Sequence, residues 1–126
     1  MTKEDKELLL KDLCARLPYG VKVQDELGRI NKLVIGNSDL NRLYYNDFST
    51  YSEEKLSLPY LFPLSSMTDE EKEEYCQLQQ RIIYNCKGVV NEDVTKYINW
   101  CYKKHLDINN LIPMRLAINA TGLNIY

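Results

Sequence analysis

At 126 residues and a net charge of −2, the chain has the length of one domain, 1–126, with a single core. The weak negative charge argues against a nucleic-acid binder that works by general phosphate neutralisation. No stretch approaches the ~20 apolar residues of a membrane span, and the charged opening MTKEDKELLLKDL contains no apolar signal core, so nothing directs export.

Residues 3–17 have the spacing of a helix. Leu9, Leu10, Leu13, Cys14 and Leu17 recur at intervals of three and four along one apolar face. Thr2 is placed to cap its start, and Pro18 with Gly20 ends it.

Residues 21–58 suggest a small antiparallel sheet. Val21 and Val23 alternate with Lys22 and Gln24, Gly28 marks a tight turn, and Ile30 to Ile35 supplies the next strand. Gly36 to Asp39 forms a second turn signal. Leu40 to Tyr45 is a third strand candidate, and Leu56 to Phe62 a fourth, at the edge where proline is tolerated. The connector NDFSTYSEEK is polar enough for an exposed loop.

The stretch PYLFPLSSMTDEE, 59–71, joins a stiff apolar loop to a helix start. Pro59 and Pro63 restrict the backbone on both sides of Tyr60, Leu61 and Phe62. Thr68 and Glu71 have the spacing of a capping box, with Asp69 and Glu70 in the electropositive first turn. A helix should follow from about Asp69 to Cys86, and another from about Glu92 to His105 with Asn91 as cap. The tail LIPMRLAINATGLNIY is irregular but apolar, and suits packing on the domain as a short strand. Strands followed by helices indicate an α+β fold: an N-terminal helix, a three- or four-stranded antiparallel sheet, and two C-terminal helices packed on that sheet.

The four cysteines, Cys14, Cys76, Cys86 and Cys101, lack the close spacing of a zinc ribbon or redox motif. On the apolar faces of helices they are expected to be reduced and buried in a cytoplasmic protein. Cys86, Cys101 and His105 could supply three zinc ligands, but a structural site takes four. His105 is the single histidine. A Cys101–His105 nucleophile and base would share one helix, where neither approaches a substrate easily. The carboxylates at 69–74 point in different directions around their helix and are accounted for by its dipole. No glycine-rich phosphate loop and no serine elbow is present. No cofactor and no metal is expected.

Tyrosine is the compositional oddity, with 10 Tyr against 2 Phe and 1 Trp. Arg42, Tyr44, Tyr45, Tyr51 and Tyr60 cluster in the middle of the chain. They suit a ligand- or partner-binding surface, because tyrosine buries a large area while staying wettable. They equally suit plain strand residues, since tyrosine favours strands. Arg29, Lys32 and Arg42 nearby could pair a phosphate beside a stacked base, and an exposed sheet edge could pair two copies of the chain.

The segments LLLKDLCARLPYGV (8–21), PYLFPLSSMTDEE (59–71) and LIPMRLAINATGLNIY (111–126), about a third of the chain, resemble a family of small uncharacterised proteins encoded in genomes, phages and prophages of anaerobic gut bacteria. The resemblance transfers no functional residue. It implies a non-enzymatic accessory protein in the cytoplasm of a bacterial host, of anti-defence type, that binds a host protein. Sequestration of a signalling nucleotide is the alternative, and a small hydrolase the second.

Overall fold

The computed structural model describes residues 2–25, 27–35, 43–45, 58–84 and 91–126. It has mixed helix and strand: an N-terminal helix, a small antiparallel sheet, and helices later in the chain.

Helix α1 spans Lys3–Arg16. Thr2 Oγ1 accepts the Asp5 amide at 3.1 Å while Asp5 Oδ2 accepts the Thr2 amide at 3.3 Å, a reciprocal cap. A 3-10 turn over Leu17–Tyr19 follows, and Gly20 ends it at φ 71, a left-handed conformation that needs no Cβ accommodation in glycine. The buried face of α1 is Leu9, Asp12, Leu13 and Arg16. Leu9 and Leu13 lie where the apolar spacing puts them, but the stripe is rotated, and Cys14 is exposed. The rotation has a cause: Arg16 Nε donates to Asp12 Oδ2 at 2.7 Å, and the two charged residues enter the core as a pair.

Strand β1 (Lys22–Gln24) pairs antiparallel with the first half of β2 (Ile30–Ile35), and β3 (Leu43–Tyr45) pairs antiparallel with the second half. The order is β1-β2-β3, yet each half of β2 has one strand partner among the described residues. The β1–β2 turn is held by Asp25, whose Oδ1 accepts the amides of Leu27 and Arg29 at 2.9 and 2.8 Å. Although burial opposes it, these bonds and the Arg29 guanidinium hold the Asp25 carboxyl below its ordinary value.

The expected fourth antiparallel strand is different. Strand β4 is only Tyr60–Leu61, and it runs parallel to β5, Ile118–Asn119. Its other edge reaches β1: the Gln24 amide donates to the Leu58 carbonyl at 2.9 Å, and Val23 bridges Pro59. The amides of Ile118 and Ala120 donate to the carbonyls of Pro59 and Leu61, both at 2.8 Å. Phe62 then exchanges bonds with His105 and Asp107, at 2.8 and 2.9 Å. The segment between the two prolines therefore ties β1, the end of the last helix and the C-terminal segment together. Two prolines are compatible with this position because the Pro59 and Pro63 nitrogens have no amide to satisfy.

Helix α2 is Asp69–Tyr84 and helix α3 is Asn91–Lys103. They pack on one another through the Tyr75 and Tyr97 rings, 5.6 Å apart with their hydroxyls at 3.0 Å, and Trp100 Nε1 donates to Glu74 at 2.9 Å. Among the described residues this pair does not cover the sheet as expected. Leu9 and Leu13 of α1, Val21, Val23, Leu33, Leu61, Leu111, Leu116 and Ala117 form the core cluster, with no described α2 or α3 residue in it. The C-terminal segment and α1 cover the sheet instead. Cys76 is exposed on α2 and Cys101 is buried, while Cys86 lies outside the described residues. The expectation of uniformly buried thiols therefore fails at Cys14 and Cys76, whose helix faces turn outward. Among the described residues no helix is long and apolar enough to cross a membrane.

The Thr68–Glu71 box forms as its spacing requires, with amide-to-side-chain bonds of 3.0 and 3.2 Å. Thr68→Ala should cost about 0.5–2 kcal/mol, read as a lowered thermal midpoint with helix content otherwise kept. An unchanged midpoint would show that α3 alone holds α2 in place.

Candidate functional site

Helix α3 ends in a Schellman turn. The His105 amide donates to the Tyr102 carbonyl at 3.0 Å, and the Leu106 amide to that of Cys101 at 3.0 Å. The residue in the left-handed position of such a turn is usually glycine. Here it is His105, at φ 57, which costs about 1–2 kcal/mol in a residue with a Cβ.

The imidazole is stacked on Tyr126, with centroids 3.6 Å apart and planes at 15°. Tyr126 is itself pinned. Its hydroxyl donates to the Tyr60 carbonyl at 2.7 Å and accepts the Lys22 amide at 2.9 Å. Lys22 Nζ donates to the Ile125 carbonyl and lies 5.7 Å from the centroid of the Tyr126 ring. Phe62 meets the same ring at 5.8 Å, tilted by 59°. Although 42% of Tyr126 is exposed, its hydroxyl is enclosed, and burial pushes it up to about 12.

These rings form one wall of a cleft of about 510 Å³. Met67 just before α2 and Glu71 in its first turn contribute, as do Lys103 at the end of α3, Lys104 just after it, and Thr121 and Gly122 of the C-terminal segment. Behind the wall, Arg16 braces the turn: Nη2 donates to the Leu106 carbonyl at 2.6 Å, and the guanidinium sits 4.8 Å from the Tyr102 ring centroid. Asn109 Nδ2 donates to Asp12 at 2.8 Å. Asp107 accepts the amides of Leu111 and Ile112 at 2.7 and 2.9 Å, fixing the chain that leads away from the cleft. A second hollow of about 640 Å³ lies against α1, but Glu4, Leu8, Lys11 and Cys14, all on that helix, line it. Among the described residues it is a groove along one helix, with no second element lining it.

Burial, then the Arg16 and Lys22 charges, lower His105 from its ordinary 6.5 to about 4. Folded His105 thus refuses a proton that the unfolded chain accepts. Stability should be fully present above pH 6.5 and decline as the pH falls toward 4. Urea midpoints of the native chain and His105→Gln across this range test it, since the variant should lack the histidine part of the decline. Parallel pH curves would show that His105 is not the titrating group.

Of the five residues singled out from the sequence, only Tyr60 has a described side chain. Tyr60 is 5% exposed and sits in β4, so its ring packs inside instead of forming a surface. Tyr44 and Tyr45 are in β3, opposite Val34 and Leu33. Arg42 and Tyr51 lie outside the described residues. From the sequence, His105 is a candidate only as a zinc ligand or as a base beside Cys101, and Lys103 and Lys104 have no site role. A histidine directly after the last helical turn, where glycine is usual, is the signal that could have drawn attention to them. Among the described residues no three His, Cys, Asp or Glu side chains are grouped as metal ligands.

No family model matches the chain, and no curated protein or solved structure shows significant similarity to it.

Proposed function

We propose that this protein is a non-enzymatic binding module that works by occupancy, with the cleft between the start of α2, the end of α3 and the C-terminal segment as its recognition site. The observation that carries this is a preformed cleft of about 510 Å³, within the size range of small-ligand sites, roughly 300–1,000 Å³, whose aromatic wall is already locked by hydrogen bonds. The electrostatics around it support binding over hydrolysis. Burial pushes the Cys101 thiol up to about 11 and His105 down to about 4. Both directions oppose the thiolate–imidazolium pair of a cysteine hydrolase. The resemblance of three segments to proteins of phages and prophages supports placing such a module among accessory proteins that neutralise a host component.

The test is a fragment library followed by amide chemical-shift mapping, with chromatography of each ligand afterwards. Shifts clustered at Lys104, His105, Thr121 and Gly122, with the ligand recovered intact, are expected. Turnover of any ligand would overturn the non-enzymatic reading, and a library silent at these residues would remove the cleft.

A second reading places a host protein, or a second copy, on the sheet. Leu27 and Ile30 are 75% and 45% exposed at the β1–β2 hairpin, and β3 has only β2 beside it among the described residues. Arg42, Tyr44, Tyr45 and Tyr51 would supply the contact, without Tyr60. Tyr44→Ala/Tyr45→Ala should then keep the circular dichroism spectrum and abolish concentration-dependent association in sedimentation. A native chain monomeric at all concentrations would exclude the second copy.

A further inference from the structure

On the reading that the cleft is the binding site, we infer that its ligand is a small anion carrying one planar aromatic ring, with the anionic group held by Lys103 and Lys104 and the ring lying against Phe62, His105 and Tyr126. Charge is the first reason. Neither lysine ammonium has an ion pair among the described residues, and the one carboxylate in the lining, Glu71, has Oε1 engaged by the Thr68 amide. A cleft with two unpaired cations and one occupied carboxylate favours an anion. The dipole of α3 accounts for basic residues in its last turn. It does not account for an open cleft, walled by aromatic rings, beside them.

Shape is the second reason. The wall is a stack already built: Lys22 lies near the Tyr126 ring, and His105 covers that ring at 3.6 Å. Imidazole Nδ1 is enclosed without a partner, while His105 as a residue is only half-buried and lines the cleft. Neutral at physiological pH, this ring offers a ligand a stacking surface without repelling a base.

Backbone strain is the third. Glycine would close the α3 turn without a Cβ penalty, yet His105 occupies it at φ 57. An imidazole kept in a conformation that penalises it points to a use for the side chain at this spot.

The ring-plus-anion chemistry has two sources, a free mononucleotide or a phosphorylated tyrosine, and calorimetry distinguishes them. Adenosine 5′-monophosphate, O-phosphotyrosine, adenosine and inorganic phosphate are titrated separately into the native chain. One of the first two should bind at least ~10-fold tighter than adenosine and phosphate, with affinity falling as salt rises. Lys103→Ala/Lys104→Ala should weaken that ligand by ~10-fold or more while the chain stays folded by circular dichroism, its thermal midpoint falling only by the small helix-dipole contribution. His105→Gly, which keeps the turn, should weaken it by several-fold. Phosphate binding as tightly as the ring-bearing probes, or binding indifferent to the lysine pair, would overturn the assignment. Silence with both ring-bearing probes would do the same. If library fragments shift the cleft while both these probes are silent, the ligand class falls and the binding site stands.

Discussion

Arg16→Met should be among the most destabilising single changes in this protein, at ~3–5 kcal/mol, or roughly 10–20 °C in thermal midpoint. Arg16 and Asp12 are 0% and 1% exposed, and their contact is 2.7 Å. Methionine keeps much of the volume but leaves the Asp12 carboxylate enclosed, with Asn109 and no cation to hold it. It also frees the Leu106 carbonyl and removes the charge over Tyr102, so the α3 turn and the cleft beside it should loosen with the core. The isolated guanidinium arm Nη1, already without a partner, shows that the site was not optimal to begin with. Asp12→Leu combined with Arg16→Met should therefore recover much of the loss, because replacing both members of a buried pair removes two desolvation costs together. A double-mutant cycle in urea measures it. Additive losses would show that the two residues act independently of each other.

Leu61→Ala should cost about 2–5 kcal/mol, from lost transfer free energy and the cavity left behind. Leu61 is 0% exposed and belongs to the cluster that joins α1, β1, β2 and the C-terminal segment. Its carbonyl accepts the Ala120 amide at 2.8 Å, so a collapse around the cavity would pull on β5 and on the Tyr126 wall of the cleft. Loss of protection at the Ile118 and Ala120 amides in hydrogen exchange should accompany the drop in midpoint. If those amides stay protected while stability falls, the strand pair is held by its backbone bonds and not by this side chain. Leu64→Ala, at an exposed position, is the control and should stay within about 0.5 kcal/mol.

Local elements were legible where a few adjacent residues decide the outcome. The Thr2 and Thr68 caps, the Gly20 stop, the Gly28 turn and β2 from Ile30 to Ile35 all form where the residues indicate. The stiff apolar stretch between Pro59 and Pro63, leading into a helix start, was also legible, because proline restricts the backbone whatever surrounds it. Buried and exposed faces were less so. Hydrophobic spacing on α1 selects Leu9 and Leu13 correctly but rejects Asp12 and Arg16. Their burial depends on each other, on Asn109 and on the Leu106 carbonyl, about 90 residues away in sequence. Periodicity counts apolar side chains and has no way to register a satisfied ion pair.

Which layers meet was decided by the tertiary structure alone. Strand β4 runs parallel to a strand nearly 60 residues later, through bonds that any backbone can make. Among the described residues the core on the sheet takes Leu111, Leu116 and Ala117 from the apolar tail and none from α2 or α3, whose aromatic faces meet each other. The cleft follows from the same closure. Lys103, Lys104 and His105 are neighbours in sequence, but Phe62, Glu71 and Tyr126 join them only once the segment between the prolines has been clamped from both sides. Long-range backbone pairing and a shared core put them within reach of one ligand, and neither leaves a mark on local residue spacing.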